Sequence, residues 1–477
     1  MNNAARLSKN MGVLFFGRAF DMVISFAFVV YIARYLGVEG FGKYALAQRY
    51  FELFMSLAAT SLATYITREI AKEREHLHQY LNAALLMVIG LTVVADLILI
   101  SLGWVFGYAV DTRLAINLVA IALFPATIGA IIEAVFIAHE KAEYVSYGLV
   151  GEGIFNNGLG LLALLMGYGL TGLFVVLITT RLLLLLFYLY WMPRKIGKFA
   201  WQLDWQVVKR VFREWRVFAL ENWISTIYGG LDVIALSSFQ GEFAVGIYVA
   251  AQKLLRLGTI IAASYTTAMF PYMSRLFTQS RDVFKQFSES SLKYMLAFIL
   301  PLAITIAVLA DKIILLLYTD KYAGSIPVLR VLSGLLMLEF FNLFLSHVLF
   351  AKGEQRKSLY VAVIRIATFG LLSLILIPRW AEIGVAWTLL LTSMVAFVFY
   401  FTFMLQGEKM GQVLMKFLPT LPAAVVLVIF FFLLKDIQLI PLVVAGGVVY
   451  VVFLFVFRVV STNDLRMLRS LSGGTPP

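Results

Sequence analysis

Long apolar runs organise this chain. They lie near 11–33, 43–66, 82–106, 114–138, 144–168, 171–192 and 217–238, then near 244–270, 293–312, 326–351, 358–378, 381–406, 414–435 and 438–458. Each approaches or exceeds the roughly 20 residues with which an α-helix crosses a bilayer. None alternates apolar and polar positions with a period of two, and each is about twice as long as a barrel strand, which excludes a membrane β-barrel. The pattern predicts an all-α polytopic membrane protein of about fourteen transmembrane helices. The first is expected to be retained, because no small-residue cleavage site follows a short hydrophobic stretch.

Composition agrees with the pattern. Of 477 residues 61% are apolar and 14% charged, against roughly 45–50% and about 25% in soluble domains. A water-soluble globule is excluded, and the loops leave no room for a folded extramembrane domain. The chain has no Cys, which removes disulfides, thiolate metal sites and a Cys nucleophile. The formal charge is +12, yet its distribution points away from nucleic acid. The N-terminus and every second loop hold 25 of the 39 Lys and Arg, the opposite loops seven, and the spans themselves seven. That asymmetry predicts cytoplasmic termini and cytoplasmic loops 67–81, 193–216, 271–292 and 352–357. Loop 193–216 carries Arg194, Lys195, Lys198, Lys209, Arg210, Arg213 and Arg216; setting topology is its plainer role, contact with anionic lipid the alternative.

The chain repeats itself at an offset of 204 residues. Gly37, Gly42, Tyr44, Ala47, Gln48 and Arg49 correspond to Gly241, Gly246, Tyr248, Ala251, Gln252 and Lys253. The motif falls at an outer turn and the start of the next helix, where glycine permits a tight reversal. Six spans separate the copies, so both have the same orientation, which implies a pseudo-two-fold axis along the membrane normal. The expected organisation is an N-lobe of spans 1–6 (1–198) and a C-lobe of spans 7–12 (199–410). An extra helical pair (411–460) and a cytoplasmic tail (461–477) follow.

A charge at mid-bilayer costs at least about 2.5–3.5 kcal/mol, so embedded ionisable residues are functional candidates. Arg18 with Asp21, and Arg49 with Glu52, are spaced i, i+3 and can neutralise one another on one helix face. Lys253 and Arg256 share that spacing with one sign and no acid in span 8, which points them at water or an anion. Arg49 and Lys253 are equivalent by the repeat, so cations from both lobes would meet one cavity; packing pairs are the alternative. Arg181, deep in span 6, needs a partner across the bundle. Arg365 and Glu152 lie at similar depth, and either pair across the lobes or line an inner vestibule. Asp96, Asp232 and Glu339, near mid-span, suit proton or ion coupling, because burial favours a neutral carboxyl; packing residues are the alternative. Histidines are less informative, with His347 in span 10 read as a satisfied bundle residue. There is no glycine-rich phosphate loop, metal-spaced His/Glu cluster or nucleophile elbow, so neither an enzyme nor a metal or cofactor site is expected.

The stretch Ile32-Ala33-Arg34-Tyr35-Leu36-Gly37 followed by Phe41-Gly42-Lys43-Tyr44-Ala45 resembles the first-hairpin signature of the Wzx-type polysaccharide flippases. These belong to the multidrug/oligosaccharidyl-lipid/polysaccharide exporter superfamily. Asp232, Val245-Gly246-Ile247-Tyr248-Val249-Ala250-Ala251, Phe270-Pro271, Asn342, Ala351-Lys352-Gly353, Pro378 and Gly384 are similar to its later pattern. The resemblance implies inner-to-outer leaflet transfer of an isoprenoid (polyprenyl) diphosphate-linked oligosaccharide, by alternating access of two lobes. It implies a cationic cavity of Arg18, Arg49, Lys253 and Arg256, joined by Arg181 and Arg365, and a proton or sodium gradient as driving force, without identifying the coupling residue; Asp21, Asp96, Asp232 and Glu339 are the candidates among the embedded acids. It also implies a plasma-membrane location beside a polysaccharide polymerase and chain-length machinery, with membrane lipids as further partners. A cation-coupled multidrug antiporter of the same superfamily is the alternative, and a membrane-embedded glycan polymerase a more distant one.

Overall fold

The computed structural model describes the backbone of residues 3–197, 200–405, 418–457 and 459, and side chains from Ile24 onward except Glu221, Leu257 and Ile260. No strand occurs among the described residues. In chain order the helices are α1 (Asn3–Met55), α2 (Ser61–Lys72), α3 (Leu77–Val105), α4 (Val110–Ala138), α5 (Ala142–Leu165), α6 (Gly169–Lys195) and α7 (Trp205–Gln279). They continue with α8 (Arg281–Val308), α9 (Ala310–Leu317), α10 (Ser325–Ala351), α11 (Gln355–Leu405), α12 (Thr420–Leu433) and α13 (Leu439–Val456). Ten helical stretches among the described residues are long and apolar enough to cross a membrane, and α12 is a shorter apolar helix. Three of the ten hold two expected spans each, so the fourteen are accounted for.

Those three stretches bend at one non-helical residue rather than opening into a loop. The residues are Gly37 (φ 70°, ψ −178°), Gly241 (φ 77°, ψ −175°) and Ala381 (φ 47°, ψ −127°). The loops expected at 34–42 and 239–243 are thus corrected to helix, glycine hinge, helix. A positive φ is free for glycine and strained for any other residue, and the two glycines that supply it are 204 residues apart. The repeat therefore extends from sequence to backbone angles.

The two turns also approach each other reciprocally. A Cβ added to Gly42 would lie 1.7 Å from the Glu242 carbonyl oxygen, and one added to Gly246 would lie 2.0 Å from that of Val38. Since 38 and 42 become 242 and 246 at the same offset, each turn seats its glycine on the other's backbone, the self-complementary contact of a two-fold interface. Lys43 reaches Asp111 at 2.6 Å and Thr112 donates to Glu242 at 2.8 Å, tying the α3–α4 turn to both.

Between α1 and α2 the helix widens into a π turn over Ser56–Thr60. Such a turn leaves backbone groups without their usual helical partner; here the Trp223 indole N–H donates to the Leu57 carbonyl at 2.9 Å and Ser56 bonds Thr226 at 2.8 Å. The segment expected as a cytoplasmic loop, 193–216, is helical from Trp205. Val207, Val211, Trp215 and Ala219 are buried on one stripe, while Lys209, Arg210, Arg213 and Arg216 are exposed.

The chain divides into two compact units, Met1–Gly246 and Ile247–Pro477. The first carries α7 up to its hinge, held by Trp215 donating to Ser61 at 2.9 Å and Tyr65 donating to Glu214 at 2.8 Å. In the second, α10 packs mainly on α11 and α8. The α12–α13 hairpin closes a small core with α8 through Ala297, Leu427, Phe431 and Leu442. Residues 461–477 and 411–417, part of the expected tail and extra pair, lie outside the described residues.

Gly42→Ala forces a methyl group into a backbone carbonyl and is expected to destabilise the fold by about 1–3 kcal/mol. Gly90→Ala, where an added Cβ meets nothing within 4 Å, is expected to leave it unchanged. Thermal unfolding followed by fluorescence-detected size exclusion reads both; equal Tm values for the two variants would refute the backbone contact.

Candidate functional site

One face of α5 is polar although the helix is embedded. Glu152, Gly153, Asn156, Asn157 and Gly160 recur at helical spacing and line a cavity of about 380 Å³, while Ile154 and Phe155 on the other side are exposed. Ser25, Phe28, Tyr44 and Gln48 of α1 close one wall, and Leu173, Phe174, Leu177 and Arg181 of α6 another. Two glycines keep α5 slim: a Cβ on Gly160 would lie 2.5 Å from Phe28, and one on Gly148 would lie 2.8 Å from Leu184. Tyr44 and Phe174 rings sit 5.8 Å apart on the apolar side.

Arg181 finds its expected partner here. Its Nε lies 3.0 Å from Glu152 Oε1 and its Nη1 donates to Oε2 at 3.2 Å, with side chains 26% and 10% exposed. The Phe51 ring lies 5.2 Å from the guanidinium, and Glu133 is within electrostatic reach. The pair rests on one charge-assisted hydrogen bond, from Nη1, while the buried Nε has no hydrogen-bond partner. Glu152 is thus engaged inside its own unit, one of the two arrangements left open for it being set aside.

The remaining candidates of the first unit separate by surroundings. Arg49 pairs with Glu52 at 3.2 Å, as their spacing predicts, and its stem lies against Gly230. Arg18 and Asp21 have side chains outside the described residues. Asp232 is buried, with Oδ1 accepting from the Val233 amide at 2.8 Å. Asp96 is buried on α3, and its Oδ1 has no hydrogen-bond partner. One turn away, the Thr92 and Thr127 hydroxyls bond at 2.9 Å.

In the second unit Arg365 pairs with Glu339, and Ser393 donates to the same carboxylate. Asn342 donates to the Ser393 carbonyl at 3.0 Å, joining α10 to α11. Glu339 therefore takes its cation from α11 rather than from Arg330 of its own helix, and Arg365, like Glu152, pairs within its unit. Lys253 is half-buried and Arg256 exposed; no acid shares their span, yet both have interaction partners. Gln252 donates to Tyr248 at 3.1 Å, whereas the repeat equivalents Gln48 and Tyr44 line the α5 cavity. His347 lies 2.9 Å from the Leu343 carbonyl and meets Phe270 edge-on, the satisfied bundle residue expected. No cluster of three or more metal-ligating side chains occurs among the described residues.

Reasoning from charge passed over Ser25, Asn156 and Asn157, because none is ionisable. The signal was legible as small and polar residues at 152, 153, 156, 157 and 160, one stripe of a helix otherwise apolar. In the sequence Tyr44 and Gln48 stand out only as markers of the repeat.

Comparison with known proteins gives the class. A family model described as polysaccharide biosynthesis protein matches residues 7–277, and a MatE model matches residues 218–376. The first covers more than half of the chain, which belongs to the polysaccharide biosynthesis protein family and is a multi-pass membrane protein. It is 21% identical over 186 residues to the capsular polysaccharide biosynthesis protein CapF of Staphylococcus aureus, covering 39% of this chain and 47% of that one. It is 26% identical over 342 residues to a putative O-antigen transporter of Shigella flexneri, covering 69% and 80%. The chain thus spans about half the length of the first relative and most of the second. Among solved structures it resembles the lipid II flippase MurJ in an inward closed conformation, with a TM-score of 0.74 at 14% identity over 93% of this chain and 98% of that one. At that identity the likeness is one of fold.

Removing one partner of the Arg181–Glu152 pair leaves an uncompensated buried charge, a loss of about 3–5 kcal/mol. Arg181→Met and Glu152→Leu are each expected to lower Tm sharply, and the double variant to recover most of it. Additive losses in this double-mutant cycle would show that the two do not stabilise one another.

Proposed function

We propose that the protein flips a polyprenyl diphosphate-linked oligosaccharide from the inner to the outer leaflet of the plasma membrane by alternating access, with both termini cytoplasmic. The observation that carries this reading is a cation inside a span at the same repeat position in both copies, Arg49 and Lys253. It occurs in a chain of the polysaccharide biosynthesis family. A diphosphate is the one part of such a substrate that needs embedded cations, and each charge kept there costs energy that a purely apolar bundle would avoid. This reading assigns the diphosphate to Arg18, Arg49, Lys253 and Arg256. Arg181 and Arg365 act through the carboxylates that hold them. The glycan delivered outside would meet a polymerase and its chain-length machinery.

A proton or sodium gradient would drive exchange, and Asp21, Asp96, Asp232 and Glu339 are the acids available for coupling. Asp96 is favoured, because it is buried with an oxygen that has no partner, whereas Glu339 is held by Arg365. Cation-coupled drug export is the second reading, favoured by the MatE match over residues 218–376.

In proteoliposomes the wild type is expected to transfer a fluorescent polyprenyl-diphosphate oligosaccharide between leaflets, and Lys253→Ala/Arg256→Ala to abolish most of that transfer at equal reconstitution. Movement of a cationic dye without the lipid would replace the flippase by the antiporter. Asp96→Asn is expected to abolish the acceleration of transfer by an imposed pH gradient, while leaving downhill equilibration within about twofold of wild type. Unchanged gradient dependence would remove Asp96 from coupling.

A further inference from the structure

We propose that the cavity between α1, α5 and α6 is a sugar subsite, taking an uncharged pyranose ring of the transported glycan rather than its diphosphate. The inference rests on the flippase reading and adds where the glycan is held. Three properties of the cavity carry it.

Its size, about 380 Å³, is at the lower end of small-molecule pockets, which run roughly 300–1,000 Å³. A monosaccharide unit fits that scale; a whole lipid-linked oligosaccharide does not.

Its chemistry matches a sugar on both sides. A pyranose offers hydroxyls that each donate and accept, and C–H faces that are apolar. Asn156, Asn157 and Gln48 supply side-chain amides, each with two donors and an acceptor, one Asn157 N–H being shared with Ser25 at 3.4 Å. Phe28, Tyr44 and Phe174 supply an aromatic wall. Amides on the inward stripe of a membrane helix are costly in lipid unless something polar meets them.

Its charge argues against phosphate. The cation lining the cavity, Arg181, is ion-paired with Glu152, to which its Nη1 donates, with Glu133 in electrostatic reach. An entering anion would have to compete with two carboxylates, while a neutral hydroxyl can share the outer lone pairs and N–H groups of the pair. The repeat adds contrast: at the equivalent positions of the second unit Tyr248 and Gln252 are bonded to each other, while Tyr44 and Gln48 face the cavity.

The test is saturation-transfer NMR on the full chain in lipid nanodiscs with a panel of methyl glycosides, alongside lipid transfer in proteoliposomes. At least one glycoside is expected to receive saturation on its ring C–H protons. Its affinity should fall about fivefold in Asn157→Leu and in Gln48→Met, the loss of one neutral hydrogen bond. It should be unchanged in the lipid-facing Ile154→Val. The two variants lie on different helices, so poor folding of one leaves the other informative. The same glycoside should slow oligosaccharide transfer, and inorganic pyrophosphate should not displace it. No binding by any glycoside, binding indifferent to both variants, or displacement by pyrophosphate would each overturn the subsite. Binding that leaves lipid transfer unaffected would make it a site for free sugar and overturn it as well. Glycoside binding without any lipid transfer by wild type would instead sink the flippase reading.

Discussion

Everything in this fold answers to one constraint: inside a bilayer no water is present to satisfy a polar group, so the protein must do it internally. That is why the described residues are mostly helical and hold no strand, and why the widened turn of one helix is met by a partner. The π turn at Ser56–Thr60 opens where the Trp223 indole can donate to Leu57. Two hinges fall at glycine, where a positive φ is free. Charges obey the same rule. Arg181 and Glu152 meet across 29 residues of sequence, and Arg365 and Glu339 across 26. The membrane permits few polar groups, so those retained mark where the protein meets something other than lipid.

The repeat supplies a second layer of order. Gly37 and Gly241 adopt nearly the same backbone angles, and Gly42 and Gly246 are each pressed against the other turn's carbonyl. These positions cannot carry a side chain for a steric reason that the sequence states only indirectly, as a glycine recurring at a fixed offset. The α3–α4 turn, fastened to both by Lys43 and Glu242, makes the three turns one connected structure.

Much of this was legible in the sequence, because hydrophobic length and glycine position are local signals. The spans and the repeat can be counted from residue types alone, and the i, i+3 pairing of Arg49 with Glu52 needs only helix geometry. Interhelical pairing is different. Which acid meets Arg181 depends on the rotation of α5 and α6 about their axes, and depth alone allowed Glu152 and Arg365 to be considered partners for one another. Helical continuity through Gly37 and Gly241 was also hidden, since a glycine in a short polar interval reads equally as a loop. The amides of α5 were missed for a chemical reason: attention to charge overlooks groups that bind without it.

A second pair of turns also matches between the two repeats. Glu140 and Gly353 both take positive φ at the end of a span, and Lys141 and Glu354 each close the same six-residue bond, to Phe136 and Leu349. Counting twelve residues on from 140 and 353 reaches Glu152 and Arg365. The two repeats therefore place opposite charges at one register, each neutralised by a different neighbour, Arg181 from the following helix and Glu339 from the preceding one. Had the register been kept for anion binding, both copies would need a cation with spare capacity. Instead the sign has changed while the pairing has been retained, which is the behaviour of a position that must be polar and internally balanced. The other repeat-related position differs in keeping its sign: Arg49, paired with Glu52 on its own helix, and Lys253 are cations in both copies.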